Sequence, residues 1–594
     1  MRLQKIGASP LSARSLMTFA LMFGGVAMAR AGVEWHVVDP LSEFRFMPEK
    51  APRDGVRGGT VRIVSAQDEY EPCSFVLCSD ADIAKVQLSV NDLKTEAGDS
   101  FPVQDLDFKT VKVWYQNMNA WFSYFQDRGL KLCPELLLND EDLVRVDTRK
   151  RANYARLAEK DGTIRYHWLT PPRDVENRTE DAGNVRVGDA FLAMKPNFCD
   201  AETFQGARLE AGKFKQFFLT AHVRKGTRPG VYRGNIRMMT DGRILGVIPL
   251  ELTVLDFVLP EPATYFDLGK EYRVWFCDYS SIESIMLANG GDRELARRQL
   301  IAICRDFRRH NQKIPSYHDV LGNIDIARAA NMDVDHAMLA AIPNPIPWNK
   351  AEVRFAARRA REQCLSALGT DKLECYAQWG DEYTLPTLRG VREMIEIFQE
   401  AGFRYPINSQ AGYAFGGYFA DIFWPPDAPE MRSREMTEKF NSLGGEGYYG
   451  WYACQHVGCE NPAFVRRQYG IGPYRAGFSC SYNYAHHLQG WNDIAPSIYR
   501  PMMFVYGCGN GCIDTLQWEA FREALDDIRY ATKLQQLAKP LAGSENVRTR
   551  YAARKALQVL ANATTEDFDL TTFRLEMIRH IRTLLKVSKQ GEGK

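Results

Sequence analysis

At 594 residues the chain exceeds what a single compact core organises, so two or three domains are expected. Its 75 basic residues nearly match its 74 acidic ones, for a net charge of +1. No long run of either sign occurs, which excludes the basic stripe that a nucleic-acid partner would need.

The N-terminus reads as an export signal: Arg2, Lys5 and Arg14 precede an apolar run from Leu16 to Ala29, with small residues at Ala27, Ala29 and Ala31. The run is about 14 residues, short of the roughly 20 needed to span a bilayer, and no comparable run follows. A leader over residues 1–31 is therefore expected to be removed, leaving a chain without a membrane span in the periplasm or the medium. No Cys closes the apolar run, which argues against a lipid anchor.

Residues 32–258 have the texture of a β-sandwich with loop insertions. Apolar and polar residues alternate at Phe217, Leu219, Ala221 and Val223, at Tyr232, Gly234, Ile236 and Met238, and at Leu250, Leu252 and Val254. Turn signals stand at Pro229-Gly230 and Asp241-Gly242. The polar stretch between Leu143 and Val187 reads as loops or insertions of uncertain shape. At Leu259-Pro260-Glu261-Pro262 two prolines remove backbone donors and favour an extended link, which marks a domain boundary.

From 263 to 535 short apolar strands alternate with amphipathic helices, the pattern of a (β/α)8 TIM-like barrel. One helix aligns Ala296, Leu300, Ile303, Cys304 and Phe307; another aligns Leu388, Val391, Met394, Ile395 and Phe398, with Pro386 near its start and Gly402 just past its end. Candidate strands are Lys372–Trp379, Arg404–Asn408, Ala420–Trp424, Tyr448–Ala453 and Phe478–Tyr484. Residues 536–594 read as charged C-terminal helices.

The chain has 13 cysteines and 10 histidines, without a Cys-x-x-Cys pair or a His-Glu-x-x-His motif, so neither a metal nor a cofactor is expected. The close pairs Cys454/Cys459 and Cys508/Cys512 are disulfide candidates, with buried free thiols as the alternative. His486 and His487 are adjacent and cannot face the same way on a strand.

Asp381-Glu382 follows the strand ending at Trp379 and precedes the helix at Pro386, a βα turn that in a barrel lies on the catalytic face. Tyr376, Trp379 and Tyr383 around it would lower the local dielectric, which raises a carboxyl pKa as a general acid requires. The plainer alternative is a solvated acidic pair at a helix N-terminus. Trp424, Tyr449, Trp451, Tyr452, Tyr482 and Trp491 sit at other inferred strand ends, where aromatic faces can stack on sugars or simply fill the core. Trp379, His318 and Glu519 join these as substrate-binding candidates, with Asn492, Asp493 and Asp514 as further polar residues nearby. Glu519, Arg522, Asp526 and Arg529 form one charged helical stripe, most plainly an ion-pair network.

The run Ile513-Asp514-Thr515-Leu516-Gln517-Trp518-Glu519-Ala520-Phe521-Arg522-Glu523-Ala524-Leu525-Asp526-Asp527-Ile528-Arg529-Tyr530 resembles the signature of domain of unknown function 4091, which accompanies glycoside hydrolase family 123. Glu69-Tyr70-Glu71-Pro72, Pro229-Gly230-Val231-Tyr232-Arg233-Gly234, Asp421-Ile422-Phe423-Trp424 and Gly450-Trp451-Tyr452 extend the likeness more loosely. The resemblance implies a sandwich before a barrel and a β-N-acetylgalactosaminidase whose Asp-Glu pair matches Asp381 and Glu382. It further implies a retaining, substrate-assisted, exo-acting mechanism on a glycan, with Glu382 as acid and Asp381 orienting the 2-acetamido group. Tyr383 stands where the family pair is commonly followed by Pro. Two other readings remain open: the same fold acting on a non-acetamido sugar, and a carbohydrate-binding barrel without turnover. A homo-oligomer is compatible with either.

Overall fold

The computed structural model describes residues 32–117, 130–159, 161–169, 197–278, 280–288, 290–315, 321–334, 337–341, 349–369, 374–378, 385–404, 406–408, 419–423, 438, 442, 448–453, 461–487, 491, 503–563 and 569–591.

The N-terminal part consists of two main sheets packed face to face. The first runs in the order Val56–Arg57, Val33–Val38, Glu69–Ser79, Phe214–Val223, Leu106–Asn117 and Leu130–Leu138; the second in the order Ala207–Leu209, Ile83–Lys94, Gly230–Thr240, Arg243–Val258 and Val61–Gln67. All pairings are antiparallel except that of Arg243–Val258 with Val61–Gln67. The alternation read from the sequence is the buried one: Phe217, Leu219, Ala221 and Val223 point inward with Phe75, Tyr232, Ile236, Leu250 and Leu252. Phe75 and Phe217 are register partners with stacked rings 5.7 Å apart. Each such side chain contributes about 1.5–3 kcal/mol by leaving water. Asp241-Gly242 is the hairpin turn it reads as, with φ of 46° and 75° at the two residues, the doubly positive pair of a type I′ turn.

The first sheet is buried on its other face as well. Phe218, Val111 and Leu137 pack there against Leu516, and Leu137 N–H donates to the Asp514 carbonyl at 2.9 Å. A strand with both faces covered is apolar without alternation, as Leu136-Leu137-Leu138 is.

Of the loops or insertions expected between Leu143 and Val187, the described residues form a third sheet, an insertion rather than a loop. Val144–Asp147, Ala152–Ala158 and Ile164–Trp168 form an antiparallel meander. One face buries Val144, Ala155 and Leu157 in the core, and the other carries long polar side chains, as Arg145 lies over Tyr154 (5.0 Å) and Tyr166 (4.2 Å).

Beyond Pro262 the strands become parallel. One sheet has the order Arg273–Asp278, Cys480–His487, Tyr448–Ala453, Phe419–Phe423 and Pro406–Asn408; a second has Ala337–Ala341, Glu374–Gln378 and Phe403–Arg404. The expected strand over 404–408 contributes Phe403–Arg404 to the second sheet and Pro406–Asn408 to the first. The predicted helices lie at Arg293–Arg309, capped by Asp292, and at Leu385–Glu400. At Gly450 a Cβ would stand 2.2 Å from the Cys480 carbonyl oxygen, so the close approach of these two strands admits only glycine.

The helix Leu516–Leu541 runs unbroken through residue 535 and is covered on nearly every side, followed by Val547–Asn562 and Leu570–Gly591. Cys508 and Cys512 carry free thiols, the second of the two readings of that pair. They flank a hairpin in which Cys508 faces Gly511 and Cys512 faces Gly507, so the two side chains leave opposite faces. Cys454 and Cys459 lie outside the described residues.

Candidate functional site

In a parallel sheet covered by helices, chemistry collects at the C-terminal ends of the strands. Asp278 closes Arg273–Asp278, and His486 lies near the end of the neighbouring Cys480–His487. His486 Nδ1 is 2.6 Å from Asp278 Oδ2, both side chains are fully buried, and Ser280 N–H donates to Asp278 Oδ1 at 2.8 Å. The imidazole rests on Phe307, ring centroids 4.0 Å apart, and on Trp518 at 4.9 Å. Sequence reasoning noted His486 and His487 only as a pair that cannot face the same way and so missed this contact; the signal for Asp278 is an Asp just after the apolar run Val274-Trp275-Phe276.

A second buried cluster lies behind this pair. His310 Nδ1 is 3.3 Å from Asp306 Oδ1 and its Nε2 is 3.4 Å from Glu519 Oε1. The Trp518 indole N–H donates to Asp306 Oδ2 at 2.8 Å, and Arg522 pairs with Glu519. Burial by itself would lower the His310 pKa, but Asp306 and Glu519 outweigh it and hold the imidazole protonated, pushed up to about 10. Asp306 gains in turn: burial opposes its ionisation, and His310 holds it well below the usual carboxylate range. Asp514 is pushed up to about 7 by burial and by Asp306.

Two sets of donor atoms here come close enough for an ion, Asp306, Cys512 and Asp514, and His310, Asp514 and Glu519. Their chemistry fits a metal poorly. His310 serves as a cation between two carboxylates, Glu519 is committed to Arg522, and burial pushes the Cys512 thiol well above its ordinary value. The cluster joins the Arg293–Arg309 helix to Leu516–Leu541 through ion pairs.

The charged stripe expected on that last helix is an ion-pair network, and it extends further than the stripe itself. Arg574 donates to Asp527 Oδ1 at 2.7 Å, to Glu71 Oε2 at 2.9 Å and to Glu523. Arg466 grips the two oxygens of Asp527 at 2.8 and 2.9 Å, and Arg529 binds Asp526 at 2.7 Å. Tyr530 donates to Glu69 at 2.8 Å. Burial, with Asp526 next, pushes Glu69 up to about 8. Glu69 and Glu71 come from the sandwich and Arg574 from the last helix, so the residues that carry the resemblance knit three parts of the chain together.

Asp381, Glu382, Trp379, Trp424 and His318 lie outside the described residues, as do Tyr383, Asn492 and Asp493. The strand preceding the acid pair ends at Gln378. Backbone register sets Tyr452 level with Tyr482, Trp275 and Phe423 across four strands, and Trp451 one step earlier, level with Ser481 and Ile422. Trp491 is 1% exposed, its ring against Phe198, Tyr506 and Trp114 at 4.9, 5.0 and 5.8 Å and its N–H on the Gly507 carbonyl. Glu519 is 3% exposed and held as above. Both therefore stand in packed surroundings.

The sandwich, the parallel helix-covered sheet and the closing helices fit the build of a multidomain glycosidase. The chain is similar to a family 123 glycoside hydrolase from Clostridium perfringens, whose structural analysis concerns glycolipid glycan hydrolysis. The TM-score is 0.59 over 94% of this chain and 99% of that one, at 11% identity. At that identity the likeness establishes a shared fold. A β-glucuronidase from Ruminococcus gnavus in complex with D-glucuronic acid covers 83% of this chain and 96% of its own at 7% identity, but a TM-score of 0.26 carries no argument. No family model matches, so the resemblance to domain of unknown function 4091 gains no support there. No curated protein matches either. No described helix is long and apolar enough to cross a membrane.

Proposed function

We propose that the chain is an exported glycoside hydrolase that cleaves a terminal β-linked N-acetylgalactosamine from glycans, with Glu382 as general acid and Asp381 as its partner. The observation that carries this reading is the fold shared with a family 123 glycoside hydrolase over nearly the full length of both chains. Supporting it, Asp381 and Glu382 follow within four residues of Gln378, the last residue of a parallel strand.

We read the two parallel sheets as arcs of one (β/α)8 barrel. Supporting this, Arg273–Asp278, its first strand, pairs with Cys480–His487, which would be its last. With this goes the division into a leader to residue 31, a sandwich over 32–258, a barrel over 263–535 and helices over 536–594.

In the proposed reaction Glu382 gives its proton to the glycosidic oxygen as the bond to the anomeric carbon breaks. The sugar's own acetamide oxygen forms the new bond to that carbon. Asp381 accepts the acetamide N–H and offsets the positive charge of the oxazolinium ring, and water then opens the ring with Glu382 as base, so configuration is retained.

The test is release of 4-nitrophenol from the β-N-acetylgalactosaminide and β-N-acetylglucosaminide by wild type and Glu382→Gln. Wild-type turnover of the galactosaminide, reduced roughly 10²–10⁴-fold in the variant, is expected. Equal turnover by the two proteins refutes the assignment of the acid. Cleavage of a non-acetamido glycoside alone refutes the substrate.

A further inference from the structure

We propose that Cys199 and Cys508 form a reversible disulfide, which pins the segment 197–201 of the sandwich to the hairpin of strands Tyr506–Cys508 and Gly511–Ile513. The hairpin separates its own two cysteines. Cys512 turns toward Asp306 and Asp514, its Sγ within 4.8 Å of a carboxylate oxygen of each, and Cys508 leaves the other face. The segment 197–201 runs along the turn of this hairpin, and Cys199 within it is half-buried.

Hydrogen bonds hold the two segments together on both sides of the cysteines. The Gly509 N–H donates to the Phe198 carbonyl at 2.5 Å, so the peptide entering Cys199 lies against the peptide leaving Cys508. The Cys508 thiol donates to the Asn510 side-chain oxygen at 3.1 Å, and the NH2 of the same carboxamide donates to the Asp200 carbonyl at 3.0 Å, across 310 positions of sequence. The Cys508 sulfur thus sits beside the group that reaches the residue next to Cys199. Backbones paired by such bonds hold facing Cα atoms about 4.5–5.5 Å apart, inside the roughly 4.4–6.8 Å that a disulfide spans. Both neighbours of Cys199 are anchored. The Phe198 ring is buried against Trp491 at 4.9 Å, and the Asp200 carboxylate accepts the N–H groups of Asn139, Asp140 and Ala201 at 2.8, 2.9 and 2.8 Å.

The bond needs an oxidant, and a small disulfide of the oxidised glutathione class supplies it. Cys199, the more exposed of the two, attacks one glutathione sulfur as a thiolate and releases the other as a glutathione thiolate; Cys508 then attacks the Cys199 sulfur and releases the second. Two protein thiols are oxidised, one glutathione disulfide is reduced to two thiols, and the two protons pass to them. Burial, and then Asp200, pushes the Cys199 thiol up; burial, with Cys199 adding to it, pushes up that of Cys508. Raised thiols are slow both to attack and to leave, so the bond forms most readily before the hairpin packs and afterwards resists reduction. The export proposed above would place the chain among oxidants of this class.

The inference stands apart from the hydrolase reading, and its test needs no turnover. The full chain, both native and refolded from the reduced denatured state, is held in oxidised glutathione, denatured in iodoacetamide and digested without reduction for mass spectrometry. We expect a linked pair of peptides bearing Cys199 and Cys508, strongest in the refolded sample, which dithiothreitol separates. Thermal unfolding of the oxidised wild type is expected to drop by a few degrees on reduction, and Cys199→Ser is expected to lose that response. Because Cys508 is buried and its replacement disturbs packing, Cys199→Ala rather than a change at 508 serves as the second variant, with the same loss expected. Alkylation of both cysteines in both samples, Cys508 linked to Cys512 or to any cysteine other than Cys199, or an oxidation-dependent rise in both variants as large as in wild type overturns the proposal.

Discussion

Replacing Arg574 by Met tests whether the buried network holds the C-terminal helix to the rest of the chain. Met keeps most of the apolar stem, so the loss is electrostatic rather than a cavity. Arg574 is 3% exposed and serves Asp527, Glu523 and Glu71 together. Without it Asp527 keeps Arg466, but Glu523 and Glu71 lose their nearest cation in a region from which water is excluded. Breaking a buried pair by removing one partner costs about 3–5 kcal/mol, and this arginine answers several carboxylates. The pH dependence follows from their pKa values. Burial already raises Glu71 and Glu523, with Arg574 opposing, so its removal raises them further. A carboxyl whose folded pKa exceeds its unfolded value contributes stability below the unfolded pKa and loses it as pH rises through the folded one. The deficit of Arg574→Met is therefore larger at pH 8 than at pH 5. Urea unfolding followed by tryptophan fluorescence at both pH values measures it. A loss under about 1 kcal/mol at pH 8, or one that is equal at the two pH values, refutes this account of the network.

Two further substitutions separate packing from ligand binding. His310→Gln removes the cation between Asp306 and Glu519; since the folded pKa of about 10 lies above the unfolded one, the contribution is complete below pH 6.5 and fades as pH rises through 10, so thermal unfolding should show a deficit that shrinks from pH 7 to pH 10. Trp491→Ala opens a void between Trp114, Phe198 and Tyr506 and is expected to cost about 3–5 kcal/mol. Unchanged stability with a raised KM would instead move Trp491 to the ligand.

Much of the architecture was legible because it rests on short-range regularities. The alternation at Phe217 to Val223 and the Asp241-Gly242 turn state their own geometry, as do the apolar face from Ala296 to Phe307 and the prolines at 260 and 262. The meander over residues 144–168 was read past because its short strands offer only brief apolar alternations, Val144/Val146 and Ala155/Leu157, within a polar stretch. Nor could sequence show that Phe218 and Leu137 are covered from behind by Leu516, a contact between segments nearly three hundred residues or more apart.

The candidate site divides in the same way. Sequence alone determined that Glu519 to Arg529 form one charged face, because spacing and residue type suffice, and on the same grounds it raised the expectations of an acid pair after a strand and of an export signal. Only the tertiary structure decided that Asp278 meets His486 and that Glu69 and Glu71 answer an arginine some five hundred residues away. Charges distant along the chain acquire partners through the packing of apolar surfaces that bring them together, and no local pattern records where that packing ends.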